Sequence, residues 1–167
     1  MRDHYLDSLE VLQGHIVKLM QPEVLDELWG DGETICPVVL PWDTVPQVPN
    51  YVQLWAMPTE PTTTVYATGR EYELEFNIVA RIYIVNSNRA RANVSLRRIA
   101  YTLAGIISAD PMLSRTAYDV RPRIDAPELG YDDAKLCYAA TTVTYEIRVH
   151  ADFDGLAQAL ADESEGE

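Results

Sequence analysis

Between Glu71 and Val149 the chain runs through a long alternating strand, one amphipathic helix and a second long alternating strand. This block constrains the fold more than any other feature. Tyr72, Leu74, Phe76, Ile78, Ala80, Ile82 and Ile84 fall on one face of the first strand. Glu71, Glu73, Glu75, Asn77, Arg81 and Tyr83 fall on the other. A period of two marks a strand with one face buried. A straight strand over 71–85 would be about 50 Å long at ~3.3 Å per residue. A compact chain of 167 residues spans only about 40 Å. The strand therefore bends sharply or reaches beyond its own domain toward another subunit. That points to a part of an assembly.

The length predicts one domain over 1–155, large enough for a real core, followed by a short helix and an acidic tail over 156–167. Hydrophobic residues make up 47% of the chain, and its apolar runs are too short to span a membrane. The opening segment MRDHYLDSLEVL is amphipathic with early acids, unlike a secretory signal. Cys36 and Cys137 stand alone, without CxxC spacing, as two free thiols of a cytosolic protein or as one disulfide.

Net charge is −13, with 26 acids against 13 bases, which argues against binding DNA by phosphate neutralisation. The distribution says more than the total. From Leu19 to Gly69 there is no Lys or Arg, against seven acids. From Phe76 to Ala109 there is no acid, against five arginines: Arg81, Arg89, Arg91, Arg97 and Arg98. This is either an uneven solvated surface or a pair of complementary faces that meet across a subunit contact. Opposed potentials of that kind fix register and discourage wrong partners.

Leu6, Leu9, Leu12, Ile16, Leu19 and Met20 give a first helix over about 5–20 its apolar stripe. Pro22 suits the first turn of a second, short helix that Gly30 ends. Residues 37–61 hold six of the ten prolines, which fits short edge strands over 34–40 and 51–57 joined by a stiff loop. Trp42, Val45 and Val48 lie on that loop and suit either a partner contact or packing on their own domain. After the long strand, Leu96, Ile99, Ala100, Leu103, Ile106 and Ile107 form the stripe of a helix over about 93–110. Asn93 is the expected N-cap, since Arg89 and Arg91 in a first turn would oppose the helix dipole. A weaker strand over 117–124 and a turn-rich acidic segment precede the last strand, 136–149. Asp154 would cap a final helix carrying Leu156 and Leu160. These elements make an α+β domain: an antiparallel sheet with long strands about 71–85 and 136–149, and helices 5–20 and 93–110 packed on one face.

No motif names a chemistry. His4 and His15 would share a helix side but lie about 16 Å apart along it, too far to share a metal. His150 beside Asp152 reads as structural. There is no phosphate-binding glycine loop, dinucleotide fingerprint or nucleophile elbow. No catalytic residue, metal ligand or cofactor is assigned. Glu71, Glu73 and Glu75 alternate on one strand face and fit a solvated or interface surface better than a cation site. The arginines of 81–98 have only Tyr83 and Tyr101 nearby, which makes a poor stacking platform for nucleic acid.

The order of N-terminal helix, Pro-rich early strands, the long strand ELEFNIVARIYIVN, an amphipathic helix and then ATTVTYEIRV resembles the tail-terminator and tail-completion proteins of long-tailed bacteriophages, the group of the lambda U protein. The likeness is one of layout and size over most of the chain, and no functional residue carries over position by position. It implies a virion protein of the tail or neck, assembled in the host bacterial cytoplasm. It further implies a homohexameric ring that caps the tail tube protein, stops its polymerisation and docks the head–tail connector (stopper) protein, with DNA passing through without sequence-specific binding. In that setting Arg89, Arg91, Arg97, Arg98, Glu71, Glu73 and Glu75 are the candidate subunit contacts, and Trp42, Val45 and Val48 the candidate partner loop. The alternatives are another neck or tail-tube component, or a small α+β enzyme or ligand-binding domain.

Overall fold

A computed structural model of the chain describes residues 3–30, 35–55, 62–65, 71–132 and 135–152. In chain order its elements are α1 (His4–Leu19), α2 (Pro22–Trp29), β1 (Val38–Leu40), β2 (Tyr51–Trp55), β3 (Thr62–Val65), β4 (Glu71–Asn86), α3 (Arg89–Ala109), β5 (Asp119–Ile124), β6 (Glu128–Tyr131) and β7 (Cys137–Asp152). The fold is α+β, as the period-two strands and 3.6-period helices require.

The frame is an antiparallel ribbon of β4 and β7, each 16 residues long. They pair from Glu71↔Asp152 to Asn86↔Cys137 without a break. The excess strand length expected from sequence is thus taken up by a partner in the same chain. Each long strand carries two short ones on its free side: β3 and β2 along β4, β5 and β6 along β7. The path across the sheet is β1-β2-β4-β7-β5.

One face of the ribbon carries Phe76, Ile78, Ala80, Ile82 and Ile84 from β4, with Ala139, Val143, Tyr145, Ile147 and Val149 from β7, all buried. Leu9, Leu12 and Ile16 of α1, Leu25 of α2 and Leu96, Ile99 and Leu103 of α3 complete one continuous core with them. Tyr145 ties the layers together, its hydroxyl donating to the Leu103 carbonyl of α3 at 2.8 Å. Ser8 of α1 and Thr116 share a buried hydroxyl–hydroxyl bond of 2.9 Å. Among the described residues no helix covers the opposite face of the sheet.

Several sequence expectations change. The sheet is mixed, because β1 pairs parallel to β2; a strand of three residues carries no readable period. The first early strand is shorter than expected, confined to Val38–Leu40, and the second is described over Tyr51–Trp55. The helix over 93–110 begins four residues earlier. Asn88, not Asn93, caps it by accepting from the Ala90 and Arg91 amides at 2.9 and 3.2 Å. A side-chain cap is worth about 1 kcal/mol, more than the screened dipole penalty on the exposed Arg89 and Arg91. The acidic segment expected as turns contains the strand β6. Between Ile124↔Val143 and Glu128↔Ala140 the outer strand takes four steps against three on β7, a bulge at 125–127. Asp125 secures it: its carbonyl accepts from the Thr141 hydroxyl at 2.8 Å, and its carboxylate accepts from Thr142. The final helix with Leu156 and Leu160, and the acidic tail, lie outside the described residues.

Candidate assembly interface

The uncovered face of the sheet is built from the residues that alternate with the core. Tyr51, Tyr83 and Tyr138, one from each of β2, β4 and β7, stack in a row with ring centroids 5.6 and 5.5 Å apart and interplanar angles of 17° and 19°. The Tyr138 hydroxyl donates to Glu128 Oε1 at 3.0 Å. That bond and the carboxylate's charge push the phenol pKa up. Beneath the ring lies Gly130, where a Cβ would meet the Tyr138 ring at 2.7 Å. A side chain at this position would push the Tyr138 ring out of its place. Farther along, Arg81 lies over the Trp55 ring at 5.9 Å.

The far end of this face is a lattice of charges. Arg148 pairs with Glu75 at 2.7 Å and approaches Glu73 at 3.9 Å. Arg121 pairs with Asp119 at 3.1 Å, and Arg123 reaches Asp125 at 3.5 Å and Glu146 at 3.9 Å. Glu73 and Glu75 are thus engaged within their own chain. The backbone of Glu71 pairs with Asp152, and its side chain lies outside the described residues. No cluster of acids, histidines or cysteines that could hold a metal occurs among the described residues. Among the described residues the face has shallow depressions of about 150 Å³ beside Glu75, Asp119 and Arg148, and of about 310 Å³ beside Trp55, Arg81 and Thr142.

The five arginines of 76–109 do not form one surface. Arg81 stands on the uncovered sheet face, whereas the other four belong to α3, across the sheet from it. Helical phase then separates the remaining pair of neighbours. Arg98 turns toward α2 and lies over the Trp29 ring at 5.8 Å. The Trp29 indole N–H donates to Thr102 Oγ1 at 3.1 Å, which itself donates to the Arg98 carbonyl at 2.8 Å. Arg97 points the other way, to the rim of an apolar groove of about 260 Å³ between α3 and the bulge. Leu96, Ala100, Tyr101, Ile124 and Pro127 line that groove. Neither this groove nor the tyrosine row was expected from sequence, because both join segments far apart in the chain.

The Pro-rich loop is ordered by hydrogen bonds. The Thr44 amide donates to the Pro41 carbonyl at 3.1 Å, closing a turn over 41–44. The Gln53 side-chain amide donates to the Pro41 carbonyl at 2.8 Å and to the Thr44 carbonyl. Trp42 and Val45 are exposed on this turn and Val48 is half-buried.

At the far end of α3, Asp110 accepts from the Ser114 amide at 2.8 Å and hydroxyl at 3.1 Å and bonds to His15 Nε2 at 2.8 Å. Burial raises its carboxyl, but these partners outweigh that and hold it below the ordinary value of 3.8. They brace a turn in which Leu113, Ser114 and Arg115 take positive φ values of 43°, 54° and 68°. The two cysteines do not form a disulfide with each other; Cys36 is exposed and Cys137 buried. Partial burial, then Glu23 and Asp26, push the Cys36 thiol up, the direction that makes it a poorer nucleophile at neutral pH.

No protein-family model and no curated protein matches the chain. Among solved structures, a chain described as "Virion of native gene transfer agent (GTA) particle" is similar at a TM-score of 0.31 and 14% identity, covering 81% of this chain and 93% of that one. A likeness this loose carries no argument about function.

Proposed function

We propose that this chain is a structural virion protein of the tail-terminator kind. It forms a closed ring on the end of the tail tube, halts addition of tube subunits and presents a docking surface to the head connector, with DNA passing through the ring. The observation that carries this reading is the β4–β7 ribbon with a single face covered by helices among the described residues. It sits within the order of helix, Pro-rich strands, long strand, amphipathic helix and long strand that resembles the tail terminators. A face carrying stacked tyrosines and paired charges suits contact with protein. Arginines 89, 91 and 97, exposed on α3, supply candidate subunit contacts, with Arg98 beside them. The role is assembly, with no catalysis and no cofactor. The test is genetic. In a phage lacking this gene, electron microscopy should show tails of irregular, excessive length that fail to join heads. Tails of normal length would overturn the terminator role and favour another neck position.

A further inference from the structure

We infer that the 41–45 turn of one copy seats in the apolar groove beside Tyr101 of the next, so that subunits join head to tail across opposite edges of their sheets. This rests on the ring reading above and names its contact.

The turn is built before it meets a partner. Its two carbonyls, Pro41 and Thr44, are both held by the Gln53 amide. Trp42 is nonetheless 39% and Val45 76% exposed. Apolar groups on a pinned turn lose little conformational freedom when they dock, which favours binding. The groove offers what they need. It has about 260 Å³ of space, walled mainly by Leu96, Ala100, Tyr101, Ile124 and Pro127. A cavity of about 150 Å³ already accepts benzene, so one large side chain fits. Tyr101, 58% exposed, stands beside it as a further apolar surface.

Position excludes self-occupation. The turn follows β1, at one edge of the β1-β2-β4-β7-β5 path, and the groove lies where β5 ends, at the other. Two unlike patches on opposite edges define a heterologous contact, which closes into a ring or runs on as a filament. Charge agrees with this pairing. The turn carries Asp43, within the stretch that has no base, and the groove rim carries Arg97, within the stretch that has no acid. Arg97 has no ion-pair partner among the described residues, and Asp43 is exposed. Asp125 also lines the groove, but Thr142 and Arg123 engage its carboxylate.

Strand-to-strand addition between the same two edges is a poor rival. β1 has three residues and lies between Pro37 and Pro41, while β5 contains Pro122 and runs into the bulge. Proline and bulges on edge strands block further pairing. The contact is therefore side chain into groove.

The test uses the full chain with Cys36→Ser, leaving the buried Cys137 in place. Val45→Cys and Tyr101→Cys are made separately, checked for unchanged circular dichroism, mixed at high concentration and mildly oxidised. The mixture should give a disulfide-linked dimer containing one of each variant, and neither variant should cross-link alone. Independently, Asp43→Arg and Arg97→Asp should each loosen assembly about two- to five-fold, the range of an exposed ion pair, and the double reversal should recover most of the loss. Oligomers that form with no Val45–Tyr101 cross-link and no charge-swap recovery overturn this contact and leave the ring reading standing. Failure to form any oligomer, even at millimolar protein, overturns this contact, and monomeric packing inside the assembled particle as well overturns the ring reading.

Discussion

On the inner face of β4 and β7, Phe76, Ile78, Ile82, Tyr145 and Ile147 lie buried under α1 and α3. On the outer face of the same strands, the intervening positions hold the Tyr83–Tyr138 stack, Arg81 over Trp55, and Arg148 beside Glu75. Burying a large aliphatic side chain is worth about 1.5–3 kcal/mol. An exposed ion pair contributes about 0–1 kcal/mol, and Arg148 and Glu75 are 43% and 41% exposed. Stability therefore resides on one face, while the other can be shaped for contact at little cost to the fold. The same strands serve both ends because a period of two keeps the two sets of side chains apart.

Matched truncations on the two faces should differ most in their effect on stability. Ile82→Ala should destabilise by about 2–5 kcal/mol, since it leaves a cavity in a closed core. Tyr83→Ala, its neighbour pointing outward, removes aromatic pairing worth about 0.5–1.5 kcal/mol. Denaturant unfolding of the two variants would refute the division if the outer substitution proved as damaging as the inner one. Tyr145→Phe probes the join between layers. It keeps the ring and removes only the bond to the Leu103 carbonyl, so the loss should be about 1 kcal/mol. A loss as large as that of Ile82→Ala would mean that the hydroxyl, not the packing, holds α3 to the sheet.

The smallest effect is expected at the edge of the core, where α3 ends against α1. Asp110 is held below its ordinary value of 3.8, so the fold favours its charged form. That contribution is fully present above about pH 4, where the unfolded chain's carboxyl is also ionised, and is lost as pH falls through the lower folded value. Asp110→Asn should lower Tm at neutral pH, and its gap from the parent should narrow below pH 4. A gap independent of pH would show that the carboxylate's charge plays no part in bracing the 113–115 turn.

What could be read from the sequence follows how local each signal is. The alternation of Leu74 to Ile84 and the stripe from Leu96 to Ile107 each lie within one element, and both elements stand where that spacing puts them. The start of α3 departs from the charge pattern because the cap that Asn88 supplies outweighs the dipole penalty on Arg89. β6 was hidden by its composition, since Gly130 serves the Tyr138 ring and Pro127 serves the bulge. Turn residues at those positions follow from contacts with β7, which local sequence does not encode. The loop that carries Trp42 and Val45 is legible because prolines mark it, whereas the exposure of those side chains is not, since packing on their own domain fits the sequence equally well. The tyrosine row requires the register of β2, β4 and β7, and the groove joins 96–101 to 124–127. A charge run does not by itself define a surface, for the same reason: two arginines adjacent in sequence, Arg97 and Arg98, have different neighbours because a helix turns between them.

The head-to-tail contact has its full meaning only if this chain closes into a ring. Native mass spectrometry of the purified protein, read together with class averages from negative-stain electron microscopy, tests it most directly. The expected result is a closed ring of identical subunits, six favoured, with a single handed contact repeated around it. A chain that stays monomeric at high concentration and packs as a monomer inside the assembled particle would contradict it.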